Sequence, residues 1–497
     1  MTRPMDVLRR NLAANLAGTF WFGALTVLLV PVYVRLLGVE AFGLIAFQTT
    51  LAGIVVLFDA GLSVTTNREL ARLSVTPGAG GEAHAVTRTT EVVYWSIAAT
   101  LAAILLALTP LLAGRWLNVQ QLPPGVVQQA VALAVVAAIL QFPYTFYSAG
   151  LLGLQQHVTL NAILIAGTTV RAAGSVLLLL TVARDVRLLF AWHAVAALLQ
   201  TLAAAIALHK ALPPGEGRFD QSVLRRAFRF ARGVALSTTL GVAATQVDKL
   251  AVSKLLPLAT FGHYSIAWML AAAIALAVTP VQTTIFPRLS QLVAAGDTEG
   301  ARRAYHRATQ TVAAMLLPLA AIATMFAYEI ALLWTRDAAV ARAVQWLAVF
   351  LVAGAMLNAL SHISHAFQLA NGWTAPAVIA NAVQLAVMIP LTLFAVRRYG
   401  AVGAAATWAL LQLSFLAISL TVTHRRAMRG DAHRVLLYDV GPAFAASFAV
   451  AAAGRLLVGE GSRAILAISL VVAGSAVLLA GALSTAVVRD WLRAQWR

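Results

Sequence analysis

An aspartate and a lysine stand side by side, Asp248-Lys249, inside an apolar stretch running from about 233 to 254. A charge at bilayer depth is costly, so such residues face a cavity or a partner. Thr238, Thr245, Lys249 and Ser253 follow one another at spacings of seven, four and four and share a helix face. Arg171 lies midway along another apolar run, 159–181. Two uncharged faces repeat the theme. Gln141, Tyr144, Thr145 and Ser148 occupy positions zero, three, four and seven of one helix face, and Asn358, Ser361, His362 and His365 do the same 217 residues later. Asn11, Asn15 and Thr19 line one side of the first apolar run. Three carboxylates, Asp59, Asp248 and Glu329, are candidates either for coupling to a cation or for internal ion pairs, and Asp59 could pair with Arg171. His362 and His365 stand three apart with no carboxylate nearby, so no metal site is expected. The chain has no cysteine, which removes thiol chemistry, and no Walker loop. No cofactor is implied.

These side chains must be positioned by membrane helices. The 497 residues are 61% hydrophobic and 11% charged, against roughly 25% charged in a soluble domain. A span needs about 20 apolar residues, and about fourteen such runs can be counted between 11 and 487. The expected fold is therefore all-α, a polytopic membrane protein. Loops assigned to one side hold about twice the Lys and Arg of the others, which places that side and both termini in the cytoplasm. The net charge of +18 then reflects this bias and anionic lipid, not nucleic acid. The basic opening MTRPMDVLRR leads straight into a span and reads as an anchor. No stretch is long enough for a folded soluble domain.

A duplication organises the spans. Arg35-Leu36-Leu37 with Phe42-Gly43 has the spacing of Lys254-Leu255-Leu256 with Phe261-Gly262, and 254 − 35 and 262 − 43 both give 219. The polar faces at 141 and 358 and the tryptophans Trp192 and Trp408 recur at similar offsets. Two six-helix lobes are predicted, 1–210 and 233–430, joined by a cytoplasmic linker at 211–232 and followed by two additional helices in 431–497. Repeats of this kind place a substrate path between halves.

The chain resembles the bacterial polysaccharide and O-antigen flippases of the multidrug/oligosaccharidyl-lipid/polysaccharide exporter superfamily. The motifs that carry this are Pro31 with Arg35-Leu36-Leu37-Gly38 and Phe42-Gly43, then Asp59-Ala60-Gly61-Leu62 and Arg68-Glu69-Leu70-Ala71-Arg72. Asp248-Lys249, Phe261-Gly262-His263-Tyr264-Ser265, Gly150-Leu151-Leu152-Gly153 and Tyr399-Gly400-Ala401-Val402-Gly403 add to it. The resemblance implies a flippase in the bacterial inner membrane. It would move undecaprenyl-diphosphate-linked oligosaccharide from the cytoplasmic to the periplasmic leaflet for O-antigen, capsule or exopolysaccharide assembly. Two lobes would alternate around a cationic cavity, with a polysaccharide polymerase and export machinery as further partners. The diphosphate would need cations, for which Arg171, Lys249, Arg68, Arg288, Arg35 and Lys254 are the candidates. Gln141, Tyr144, Thr145, Asn358, His362, His365 and Asn15 would meet the glycan.

A drug exporter of the same superfamily would want free acidic residues in the first lobe, and few are present. A peptidoglycan-precursor flippase would carry charges in its first span, where positions 11–34 have none. A polysaccharide polymerase or ligase would need a large outer loop, and the outer loops are short.

Overall fold

The computed structural model describes residues 4–223, 225, 240–373, 375–457 and 463–495. Thr238 and positions 226–232 of the expected linker lie outside the described residues. In an apolar solvent each backbone N–H and C=O must be satisfied within its own segment, and helices do this. By packing, the chain falls into two units, Met1–Gly262 and His263–Arg497. The first contains α1 Pro4–Leu37, α2 Val39–Val56, α3 Leu62–Ser74, α4 Gly80–Ala107, α5 Pro124–Gly153, α6 His157–Thr181, α7 Val186–Ala211 and α8 Val247–Leu255. The division falls within α9, Leu258–Ala294. The second contains α10 Thr298–Met325, α11 Ala327–Thr335, α12 Ala338–Ala370, α13 Ala375–Arg426, α14 Gly441–Leu457, α15 Arg463–Ser484 and α16 Ala486–Gln495.

Among the described residues, eleven helices are long and apolar enough to cross a membrane, where about fourteen spans were expected. The runs 374–396 and 402–424 are two helices that meet at a kink at Gly400, whose φ of +63° suits glycine alone, and they count as one within α13. The run 233–254 is not one uninterrupted helix, because a turn at Thr245-Gln246 separates α8 from the helical residues 240–244. The stretch Leu258–Ile274 is the apolar first part of the 37-residue α9. The helix α3 is amphipathic, with Leu62, Leu70 and Leu73 buried and Arg68 exposed.

Helix starts follow acidic caps. Asp185, Asp297 and Asp337 accept from backbone amides at the heads of α7, α10 and α12. The Arg187 guanidinium, hydrogen-bonded to Asp185, holds that carboxyl below the usual carboxylate range. In the first unit, Tyr94 packs on Phe142 and Phe146 at ring separations of 5.0 and 5.3 Å. Trp192 lies over Gly174, where a Cβ would come within 2.1 Å of its ring, and in the second unit Trp408 lies over Gly354, where the figure is 2.5 Å. The recurring tryptophans are thus each seated on a glycine of a neighbouring helix.

Both copies of the repeated Phe-Gly motif occur within the first unit. A Cβ on Gly43 would lie 2.4 Å from the carbonyl oxygen of Leu258, and one on Gly262 would lie 2.7 Å from that of Val39. Since 39 + 219 = 258 and 43 + 219 = 262, the two approaches are the same contact made twice. The segment is further secured by Leu258 N–H donating to Asn118 O at 2.9 Å and by Trp116 Nε1 donating to Ser253 Oγ at 3.2 Å. The stretch expected to open the second lobe therefore packs with the first unit.

Glu40, inside the first copy of the motif, is 4% exposed. Its carboxylate accepts from the amides of Gln120, Gln121 and Leu122 at 2.6, 2.8 and 2.9 Å and so fixes the turn before α5. Glu40→Ala is expected to lower stability by about 3 kcal/mol, the cost of leaving such donors without a charged acceptor. Thermal unfolding in detergent would measure it, and an unchanged midpoint would mean that water replaces the carboxylate.

Candidate functional site

Arg171 is a charge deep within a span of the first unit. It sits on α6 ten residues before Thr181, roughly 15 Å along the axis from the helix end. It is half-buried, and among the described residues it makes no side-chain hydrogen bond and no ion pair. Around it stand Tyr33 of α1 and His193 of α7, the two titratable groups near enough to feel its charge. Tyr33 stands beside Ser175, one turn beyond Arg171, and the Ser175 hydroxyl donates to the Arg171 carbonyl at 2.7 Å. His193 is 8% exposed; its Nδ1 lies 3.0 Å from Gln48 Oε1 of α2, and its Nε2 has no hydrogen-bond partner among the described residues. The arrangement is a cation with a phenol and an imidazole beside it in an apolar surround. Such a set binds an anion that presents several acceptor oxygens.

The α5 face identified from spacing is the less buried side of that helix. Gln141, Tyr144, Thr145 and Ser148 are half-buried while Phe142, Pro143, Phe146 and Tyr147 between them are buried. Tyr144 stands beside Gln200 of α7, and Gln141 Oε1 is buried with no hydrogen-bond partner among the described residues. In the second unit, Asn358, His362 and His365 of α12 are likewise half-buried and Ser361 is buried. His362 Nε2 lies 3.1 Å from Asn358 Oδ1, whose amide donates to Gln412 Oε1 of α13 at 2.9 Å. His365 makes no hydrogen bond among the described residues.

The acidic candidates are all engaged. Asp59 accepts from Ser63 N and Oγ at 3.0 and 2.8 Å, from Gly61 N at 3.2 Å, and from the Tyr94 hydroxyl. It holds the sharp turn at Ala60 and Gly61, with φ of +47° and +81°, and heads α3. The pairing of Asp59 with Arg171 considered from sequence does not occur. Glu329 of α11 pairs with Arg455 of α14. Asp248 is buried 3.6 Å from Lys249 Nζ, which also donates to the Thr245 carbonyl at 2.6 Å, a group exposed by the break before α8.

The model of the polysaccharide biosynthesis protein family matches residues 8–293, more than half of the chain. The chain belongs to this family. A second family model, MatE, matches residues 234–394. Among solved structures the chain is similar to the lipid II flippase MurJ in an inward closed conformation, with 12% identity, TM-score 0.76, and 98% of this chain and 100% of that one covered. It is also similar to an inward-facing multidrug resistance MATE transporter of the MOP superfamily (15%, TM-score 0.62, 83% and 95% covered). A third is the MATE multidrug transporter DinF-BH (13%, TM-score 0.61, 86% and 96% covered). No curated protein matches the sequence. This member of the polysaccharide biosynthesis protein family is thus a multi-pass membrane protein with the MOP fold.

In this family member the remaining cationic candidates have more ordinary settings. Lys254 donates to Arg115 O and lies 5.4 Å from the Trp116 ring centre, so it fastens α8 to the 115–118 turn. Arg35 is exposed in the last turn of α1, where a cation suits the helix dipole. Arg68 and Arg288 are exposed on α3 and α9. Asn15 accepts from Asn161 Nδ2 at 2.6 Å and donates to His157, joining α1 to α6. Tyr33, Gln48 and His193 were missed from sequence. An imidazole in the apolar run Ala191-Trp192-His193-Ala194-Val195 was the available signal, because a buried histidine needs a partner.

Proposed function

We propose that this protein is a flippase for undecaprenyl-diphosphate-linked oligosaccharide, serving O-antigen, capsule or exopolysaccharide assembly in the bacterial inner membrane, with both termini in the cytoplasm. The observation that carries the reading is Arg171, a guanidinium deep in a span whose charge no carboxylate neutralises among the described residues. A standing cation at that depth is costly unless an anion visits it. The diphosphate of a lipid-linked sugar is such an anion, and its polyprenyl tail stays in lipid throughout. The family match and the likeness to a flippase of lipid II support the same class of cargo. The half-buried amide, hydroxyl and imidazole faces of α5 and α12 suit sugar hydroxyls. Export of cationic drugs is less well supported, because Asp59 in the first unit is committed to Ser63, Gly61 and Tyr94, and Glu91 to Tyr147, His209 and Arg88.

Deleting the gene tests this. Lipid-linked repeat units are expected to accumulate on the cytoplasmic leaflet, read with a membrane-impermeant glycan label on intact and opened spheroplasts. Accumulation on the periplasmic leaflet would place the protein after the crossing and overturn the proposal.

A further inference from the structure

The second unit carries a pocket of about 510 Å³ where α10, the segment before α14, and α16 meet, lined among others by Gln310, His433, Arg434, Tyr438, Asp439 and Arg489. Its floor is built by a π-helical turn, Val435–Val440. The wider turn carries Asp439 inward, 1% exposed, and Tyr438 outward, 66% exposed. Both Asp439 oxygens are occupied, one by His306 at 2.5 Å and one by the Gln310 amide at 2.7 Å. Asp431 nearby is occupied by Arg302 and His306. Its burial favours protonation, but those two hydrogen bonds outweigh it and hold its carboxyl below the usual range.

The cations of this pocket are not neutralised in the same way. Arg434 and His433 are exposed and make no hydrogen bond or ion pair among the described residues. Among the described residues the Arg489 side chain donates through Nη1 to the carbonyls at the end of α15, with Ser484 O at 3.0 Å, and its Nε and Nη2 make no hydrogen bond. Two guanidiniums therefore stand against one carboxylate that is already engaged. Beside them Leu436, Leu437 and Tyr438 are exposed apolar surface. The α16 helix is amphipathic: Arg489, Trp491 and Arg493 are exposed while Val487, Val488 and Leu492 are half-buried. A helix of this composition lies in the headgroup layer of a membrane. Arginine forks match phosphate oxygens, and basic pockets between spanning helices recognise anionic headgroups.

We infer that this pocket binds the phosphate of an anionic phospholipid, with Arg434 and Arg489 on the phosphate, Tyr438 on the headgroup, and the acyl chains against Leu436 and Leu437. The inference does not rest on the reading of the cargo. Purified full-length protein in detergent, titrated with phosphatidylglycerol, phosphatidylcholine or inorganic phosphate and read by native mass spectrometry, tests it. Both lipids carry the phosphate, but the trimethylammonium of phosphatidylcholine cancels its charge and is repelled by the two guanidiniums, so phosphatidylglycerol is expected to bind about 10-fold better. Inorganic phosphate is expected not to displace it. Arg434→Gln, which removes no internal contact, should erase most of the preference, and Arg434→Gln with Arg489→Gln all of it. Equal binding of the two lipids, or an unchanged preference in Arg434→Gln, would overturn the site. Displacement by inorganic phosphate would assign the pocket to a soluble anion and overturn the lipid assignment.

Discussion

Arg171→Gln is expected to abolish delivery of glycan to the cell surface while the protein remains at its normal level in the membrane. The side chain has no internal ion pair to lose among the described residues, so its removal leaves no orphaned carboxylate behind. Stability is then unchanged or improved, because a desolvated charge has gone. On the proposed function, however, the moving diphosphate loses its cation. A charge-assisted hydrogen bond is worth about 1.5–3 kcal/mol, and a guanidinium fork makes two. A deficit of about 3–6 kcal/mol at the highest point of the crossing slows it roughly 10²–10⁴-fold. Surface polysaccharide labelled over a short pulse, beside an immunoblot of the membrane fraction, reads both quantities. Arg171→Lys should retain part of the rate, since a point charge replaces the fork. Normal export by Arg171→Gln would remove Arg171 from the path. Loss of the protein itself would make it a structural residue.

Asp59→Ala has the opposite expected signature: the protein disappears and transport goes with it. The carboxylate holds the turn at Ala60-Gly61, heads α3 and accepts from the buried Tyr94 hydroxyl. Loss of a helix cap costs about 0.5–2 kcal/mol and an unsatisfied buried hydroxyl about 1–3 kcal/mol. Together these remove about 1.5–5 kcal/mol from a fold whose total stability is on the order of 5–15 kcal/mol. Asp59→Asn should be milder, because one oxygen remains to accept from the turn. The amount of folded protein recovered in mild detergent is the measurement. A normal yield of Asp59→Ala with no export would return Asp59 to a coupling role.

The contrast between Arg171 and Asp59 shows what the sequence could and could not reveal. Apolar length located most of the spans found among the described residues, because a bilayer imposes a length whatever the neighbours are. Helix periodicity located the polar faces of α5 and α12, since residues zero, three, four and seven share a side on any helix. Neither rule says which charge has a mate. Asp59 adjoins apolar sequence on one side and a turn on the other, and only the fold brings Tyr94 to it, 35 positions away. Glu40 was likewise invisible: its three donors lie 80 to 82 positions later. The break at Thr245-Gln246 has no proline or glycine of its own to announce it, and the long apolar run hid it.

The reciprocal seating of Gly43 against Leu258 and Gly262 against Val39 has a bearing on ancestry. The set of contacts is unchanged when each residue is exchanged for its counterpart 219 positions away. That is the contact rule of an isologous interface, in which i meets j and j meets i across two identical chains. A half-length forerunner with this glycine face would have met a second copy of itself there. Fusion of two such genes turns a concentration-dependent dimer into an intramolecular contact. It also lets the two faces diverge: position 40 is a buried glutamate, and its counterpart is Ala259.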